Sequence, residues 1–208
     1  MAKKKETEEI DKLKFEKEEK EKGHFLVAGM DEVGRGPLAG PVCVACVIMP
    51  LDDIIEGIDD SKKISEKKRN ELAAIIKEKA ICYSIQMVDE QTIDKINILE
   101  ATKLTMKKAV ENLTLKPDVV LVDAIKSLDV NVPIRGIIKG DMLSYSIGCA
   151  SILAKVERDN LMVELSKEYP EYGFEKHKGY GTKAHIEALK EYGPCVYHRL
   201  SFLKFLDN

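Results

Sequence analysis

No stretch of this chain stays apolar over the roughly 18 residues that would cross a bilayer, so no membrane partner is expected. The first residues, Met1-Ala2-Lys3-Lys4-Lys5, run into mixed charges rather than the apolar core of a secretory leader, and a cytosolic protein is the expectation. A basic excess is missing too. The net charge is −3, whereas strong nucleic-acid binders as a rule carry surplus Lys and Arg. Clustering matters more than the sum. Basic residues gather at Ser61-Lys62-Lys63, Lys67-Lys68-Arg69 and Lys176-His177-Lys178, and each cluster alone reads as a solvated face. The dinucleotide-binding glycine spacing is absent, and no Lys-Ser/Thr pair follows the Gly34-Arg35-Gly36 turn as a mononucleotide P-loop requires. There is no internal repeat. The five cysteines are odd in number and mostly sit in apolar segments, which suits buried thiols. Cys43 and Cys46 have the spacing of a redox or zinc pair, but on a strand residues three apart face opposite ways.

What remains is a chain of 208 residues, 44% hydrophobic, long enough for one domain with a sizeable core. Residues 1–22 are almost all Lys and Glu, with Ile10, Leu13 and Phe15 as the sizeable apolar exceptions. They read as a frayed helix or disordered tail, too poor in apolar surface to dock firmly. The domain proper is expected over 23–208. Apolar runs at 25–30 and 42–49 predict strands, the second buried on both faces, with a Pro/Gly turn at 37–41 between them. Ser65 is a candidate N-cap for a helix over 65–79. A strand at 80–88, a mostly helical segment at 89–113 and strands at 118–123 and 134–139 follow. Gly140-Asp141 is expected to open one long helix to about residue 167, with a shorter helix near 183–192. Strands first, then alternation, then helices: this is an α/β pattern with a central mixed sheet.

Four acidic residues in three segments narrow the chemistry. Asp31 and Glu32 follow one apolar strand, Asp123 ends another, and Asp141 stands at a helix start. Ligand sites in open α/β sheets lie beyond the carboxyl ends of parallel strands. An Asp after a strand is equally a turn residue, and Asp141 equally an N-cap. Asp31 and Glu32 are neighbours, so both can serve one site only if the strand breaks there, or if Glu32 offers its carbonyl. The glycines at 34 and 36 would permit such a break. They would also let main-chain amides approach a ribose or phosphate closely.

Taken together the motifs become specific. The run from Ala28-Gly29-Met30-Asp31-Glu32-Val33-Gly34-Arg35-Gly36 to Pro37-Leu38-Ala39-Gly40-Pro41-Val42 resembles the opening signature of bacterial ribonuclease HII. Asp60-Ser61-Lys62-Lys63-Ile64-Ser65, Val122-Asp123 and Lys139-Gly140-Asp141 resemble later blocks, as does Ser151-Ile152-Leu153-Ala154-Lys155-Val156-Glu157-Arg158-Asp159. His177-Lys178-Gly179-Tyr180-Gly181-Thr182 and His198-Arg199-Leu200-Ser201-Phe202 resemble the tail, so the likeness spans about residues 23–204. It implies a ribonuclease H-like α/β fold: a five-stranded mixed sheet flanked by helices, with additional C-terminal helices. It implies a metal-dependent endonuclease that cuts the RNA strand of RNA/DNA hybrids and nicks 5′ of single ribonucleotides in duplex DNA, leaving 3′-hydroxyl and 5′-phosphate ends. Magnesium or manganese is the implied cofactor, held by Asp31, Glu32, Asp123 and Asp141, as a pair of ions about 3.5–4 Å apart. By the same resemblance Gly34, Arg35 and Gly36 read the 2′-hydroxyl and Tyr180 stacks on the following sugar. Lys62, Lys63, Lys155 and Lys178 are candidate phosphate contacts. The related ribonuclease HIII usually has Lys at the place of Arg35 and an extra N-terminal domain, for which residues 1–22 are too short. A monomer is expected, and a replication-clamp contact is left open. The rivals are a nucleic-acid binding module without catalysis and a different metal-dependent phosphoesterase on the same fold.

Overall fold

Alternation of period two and period 3.6 resolves into five strands and eight α-helices in the computed structural model, which describes residues 11–59, 61, 63–123, 125 and 127–206. Helix α1 (Lys14–Glu21) precedes strands β1 (Val27–Val33) and β2 (Val42–Ile48). Then come α2 (Glu66–Lys79), β3 (Cys82–Val88), α3 (Glu90–Ile96), α4 (Ile98–Glu111), β4 (Val119–Asp123) and β5 (Ile134–Ile137). The chain closes with α5 (Gly140–Leu143), α6 (Tyr145–Glu168), α7 (Phe174–His177), α8 (Lys183–Tyr192) and short 3₁₀ turns. The strands form one sheet in the order β3-β2-β1-β4-β5. β1 runs antiparallel to β2 and parallel to β4, so the sheet is mixed.

β2 is buried at every residue because helices cover both of its faces. Cys43, Ala45 and Val47 pack with Leu72 and Ile76 of α2 and Ile152 and Leu153 of α6. Val44, Cys46 and Ile48 pack on the other side with Met106 and Ala109 of α4. Cys43 and Cys46 are therefore on opposite faces, and burial pushes the Cys43 thiol up to about 12. The main chain of α6 lies directly on β1. A Cβ at Gly29 would stand 2.1 Å from the Ser146 carbonyl carbon, so any larger residue would lift the helix off the sheet. Each fully buried aliphatic side chain here contributes about 1.5–3 kcal/mol relative to exposure.

Four expectations change. β1 does not end at Met30; it continues through Asp31 and Glu32, paired with Ala45 and Val44. The helical segment 89–113 is two helices, broken at Asn97, whose φ of 67° stops α3 while its Oδ1 accepts from Leu99 N and Glu100 N to start α4. The long helix does not begin at Gly140. α5 ends at Ser144, which is extended and caps α6. Finally, Lys14–Glu21 is a docked helix. Phe15 packs against Val27, Val119 and Leu121, and carboxylates add polar anchors: Glu16 is fully buried, its Oε1 accepting from Ser144 Oγ at 2.6 Å and Ser146 N at 2.9 Å. The expectation for residues 1–10 lies outside the described residues.

Candidate active site

The parallel pairing of β1 with β4 stops at Met30–Val122, so past that point β1 has a neighbour only on its β2 side. Asp31 and Glu32 occupy this half-open stretch. That resolves the problem posed by their adjacency: no strand break is needed, because the missing partner leaves room for both side chains to reach one cavity. The backbone turns at the next glycine, Gly34, with φ 92°.

The cavity holds about 400 Å³ and is lined by Asp31, Glu32, Asp123, Asp141, Ser61, Ser151, Arg69, Lys155 and Tyr180, with Val33. Asp123 comes from the end of β4. Its Oδ1 accepts from Gly140 N at 3.0 Å, which ties the strand end to the turn that carries Asp141. Asp141 is not an N-cap; Lys139, at φ 60°, precedes the helix and Asp141 lies in its first turn. Ser61 and Ser151 share a hydrogen bond of 2.9 Å on the cavity wall. Two basic residues also line the cavity: Lys155 Nζ pairs with Asp159 at 2.7 Å, and Arg69 donates to the Ser61 carbonyl at 2.6 Å. Tyr180 is 43% exposed and so presents its ring to an incoming ligand.

The acidic wall is electrostatically uncomfortable. Burial first, then the neighbouring charges of Glu32 and Asp123, hold the Asp31 carboxyl well above its ordinary range; the Ser151 hydroxyl and the Glu32 amide offset only part of this. Burial likewise raises Glu32, although Arg35 stands 3.3 Å from its Oε1. The second oxygen of Glu32, Oε2, is shut off from solvent and has no hydrogen-bond partner among the described residues. Among the described residues no three Asp, Glu, His or Cys side chains stand close enough to chelate one ion as they are. A hard divalent cation that keeps several waters does not need a preformed cage. An all-oxygen donor set, an orphaned carboxylate oxygen and mutual repulsion all fit such an ion.

Some sequence-predicted site residues stand apart. Gly36 lies beside Tyr180, and a Cβ there would be 3.8 Å from its ring. Lys63 is exposed and Lys178 half-buried, and neither lines the cavity. The Lys178 ammonium is turned to the Glu175 carbonyl. Lys62 lies outside the described residues. Ser61, Arg69 and Ser151 line the wall and were not picked out as site residues. Ser61 and Ser151 lay inside recognised blocks, yet a lone serine carries no spacing signal.

The family profile described as Ribonuclease HII matches residues 28–205. The chain belongs to the ribonuclease HII family. It is 58% identical over 192 residues to the ribonuclease HII of Caldicellulosiruptor bescii, covering 91% of this chain and 93% of that one. Among solved structures it is similar to the ribonuclease HII in the PCNA complex from Archaeoglobus fulgidus, with a TM-score of 0.74 and 27% identity, over 85% of this chain and 94% of that one. The fold is also shared with Bst ribonuclease HIII solved in complex with Mn²⁺, at a TM-score of 0.69 and 20% identity, over 85% of this chain and 67% of that one. As a ribonuclease HII, the chain is a metal-dependent phosphodiester hydrolase on a ribonuclease H-like fold. No described helix is long and apolar enough to cross a membrane.

Proposed function

We propose that this ribonuclease cuts the RNA strand of RNA/DNA hybrids and also nicks on the 5′ side of a single ribonucleotide in duplex DNA, leaving a 3′-hydroxyl and a 5′-phosphate. One observation carries the reading: carboxylates from β1, β4 and α5 converge on a single cavity, with Glu32 Oε2 buried and, among the described residues, without a hydrogen-bond partner. Asp31, Glu32, Asp123 and Asp141 would hold magnesium or manganese. A bound pair of such ions supplies Lewis acidity at the scissile phosphate and charge for the leaving oxygen. The acids thus serve an anionic substrate only when loaded; bare, they would repel it.

The remaining residues do the positioning. Lys155 and Arg69 bring positive charge to the same cavity, where they would contact a backbone phosphate adjacent to the cut. Burial lowers the Lys155 ammonium somewhat, and its pairing with Asp159 works to keep it charged. Telling ribose from deoxyribose requires a group that senses the 2′-hydroxyl, both donor and acceptor. The main chain at Gly34-Arg35-Gly36 supplies a surface that can approach closely, and the exposed Tyr180 ring beside Gly36 supplies a platform for the next sugar.

The decisive assay is cleavage of a duplex with one ribonucleotide, with and without magnesium, by the intact chain and by Asp31→Asn. Magnesium-dependent nicking by the first and near-complete loss in the second are expected. Wild-type turnover by Asp31→Asn would remove the carboxylate assignment, and equal cutting of ribonucleotide-free DNA would indicate a different phosphoesterase. Tyr180→Ala should lose more activity on the single ribonucleotide than on a continuous RNA strand; equal losses would count against the junction role.

A further inference from the structure

Two arginines are fully buried, a costly state for a guanidinium without a carboxylate partner. Neither has one within ion-pair distance among the described residues. Instead, all three nitrogens of each donate to main-chain carbonyls. Arg158 Nε reaches Pro41 O at 2.9 Å, Nη2 reaches Ala39 O at 2.9 Å and Nη1 reaches Lys178 O at 3.0 Å. Arg199 Nε reaches Gly40 O at 2.9 Å, Nη1 reaches Arg35 O at 3.2 Å, and Nη2 reaches Gly34 O at 2.6 Å and Gly40 O at 2.5 Å. The carbonyls belong to residues 34–41 and to Lys178, two segments distant in sequence. Ordinary loops bond to themselves or to water; this one is wired to two side chains from α6 and the C-terminal segment.

The wiring has a directional consequence. In a trans peptide the C=O of one residue and the N–H of the next point opposite ways. With the Gly34 and Arg35 carbonyls turned toward Arg199, the amides of Arg35 and Gly36 are turned away from it. Among the described residues neither amide donates a hydrogen bond. Arg158 meanwhile links Ala39 and Pro41 to Lys178, two residues before Tyr180, and the Gly179 carbonyl accepts from Leu38 N at 2.8 Å. The guanidinium groups, with the direct bonds from Leu38 N and Ala39 N to the Gly179 carbonyl, thus tie the glycine turn to the segment that carries the tyrosine.

We propose that Arg158 and Arg199 are positioning residues that set ribonucleotide selectivity. Acting through main-chain carbonyls, not through the substrate, they hold the outward amides of Arg35 and Gly36 at one distance from the Tyr180 ring. This rests on the ribose-reading role given above to the same turn. A lysine is a point donor and cannot bridge three carbonyls in a plane, so the conservative variant retains the charge and loses the alignment.

The test compares the intact chain, Arg158→Lys, Arg199→Lys and, as a control for lost stability elsewhere, Val110→Ala in the α4 core. Each is assayed with magnesium on three duplexes: one ribonucleotide in DNA, a continuous RNA strand on DNA, and DNA alone. Both lysine variants should lower kcat/KM on the single ribonucleotide at least tenfold more than on the continuous strand. Val110→Ala should leave that ratio unchanged. A ratio within twofold of the intact chain in a lysine variant that remains folded overturns the proposal. For the intact chain without added divalent ion, the amide resonances of Arg35 and Gly36 should shift on adding the single-ribonucleotide duplex and not the DNA duplex. Amides that do not respond overturn it even where neither lysine variant folds. If the intact chain cuts plain DNA as fast as the ribonucleotide duplex, the broader reading fails first, and the two failures are distinguishable.

Discussion

Carboxylates are buried on two sides of this molecule, and they are treated in opposite ways. On the α1 side the buried acids Glu16 and Glu19 accept from neighbouring donors, although Glu16 Oε2 finds none among the described residues. Glu19 accepts from Arg135 at 2.7 Å and Lys22 at 2.7 Å and pairs with His24 at 2.8 Å. Burial works to raise its carboxyl, but those hydrogen bonds outweigh it and hold it down at about 2. Glu16 sits at the N-terminus of the 24-residue α6, where the Ser144 hydroxyl and the Ser146 amide donate to its Oε1. In the cavity the acids face one another, and Asp31 is pushed the other way. The first arrangement stabilises a docked helix. The second leaves repulsion that a bound cation would relieve, as the proposed role of these acids requires.

The comparison can be broken most directly at Asp31. Asp31→Asn should lower kcat by about 10³-fold or more, equivalent to roughly 4 kcal/mol of transition-state stabilisation. Its melting temperature should nonetheless stay level or rise, because the substitution removes like-charge repulsion; a strongly destabilised Asp31→Asn would mean the cavity acids are structural after all. Glu16→Ala should do the reverse. It strands the Ser144 hydroxyl and the Ser146 amide, at about 1–3 kcal/mol for each buried orphan. Calorimetry should show a melting point lower by several degrees, with kcat per folded molecule within a few-fold of the intact chain. An unchanged melting point would show that α1 contributes no stability.

Magnesium sharpens the contrast. Ions at a hundredfold excess over their dissociation constant add about 2.7 kcal/mol of stability. A thermal shift of several degrees is expected in the intact chain and in Glu16→Ala, and little in Asp31→Asn. Equal shifts in all three would place the ions elsewhere.

Acid offers the finest test, because the two regions carry opposite signs. Glu19 is depressed in the folded state, so its stabilisation is present above the ordinary glutamate value of 4.5 and is lost as pH falls toward about 2. Asp31 is raised, so its contribution is present below its ordinary value of 3.8 and is lost as pH rises through the folded value. The buried His198 adds to acid sensitivity. Burial and then His185 lower it to about 4, so its neutral form supports the fold above about 6.5 and that support is lost between 6.5 and 4. Urea melts at stepped pH should show Glu19→Gln flattening the acid limb and Asp31→Asn removing the loss of stability that sets in as pH rises above 3.8. The same slope in both variants would erase the distinction.

Much of the scaffold was legible before any coordinates. The unbroken apolar run at 42–49 signals burial on two faces, and β2 is buried throughout. Ser65 reads as a cap and accepts from Lys68 N at 3.4 Å. Breaks inside helical stretches were harder. Asn97 and Ser144 interrupt patterns that stay helical in composition on either side, and only backbone angles and cap bonds reveal the break. The docking of α1 is not visible in its composition, because besides Phe15 the contacts are acids meeting donors 116 and 128 residues away.

The amino-acid order alone determined the strand and helix periods, the buried sheet centre and the motif blocks that place this chain with ribonuclease HII, since each of these is local. Tertiary structure decided where β4 stops pairing with β1, and so why two adjacent acids share one cavity. It also decided which carboxylates meet donors, which meet each other, and which carbonyls two buried guanidinium groups would hold. Those outcomes depend on groups scores of residues apart arriving within about 3 Å, a distance at which hydrogen bonds and like-charge repulsion act and which no local pattern encodes.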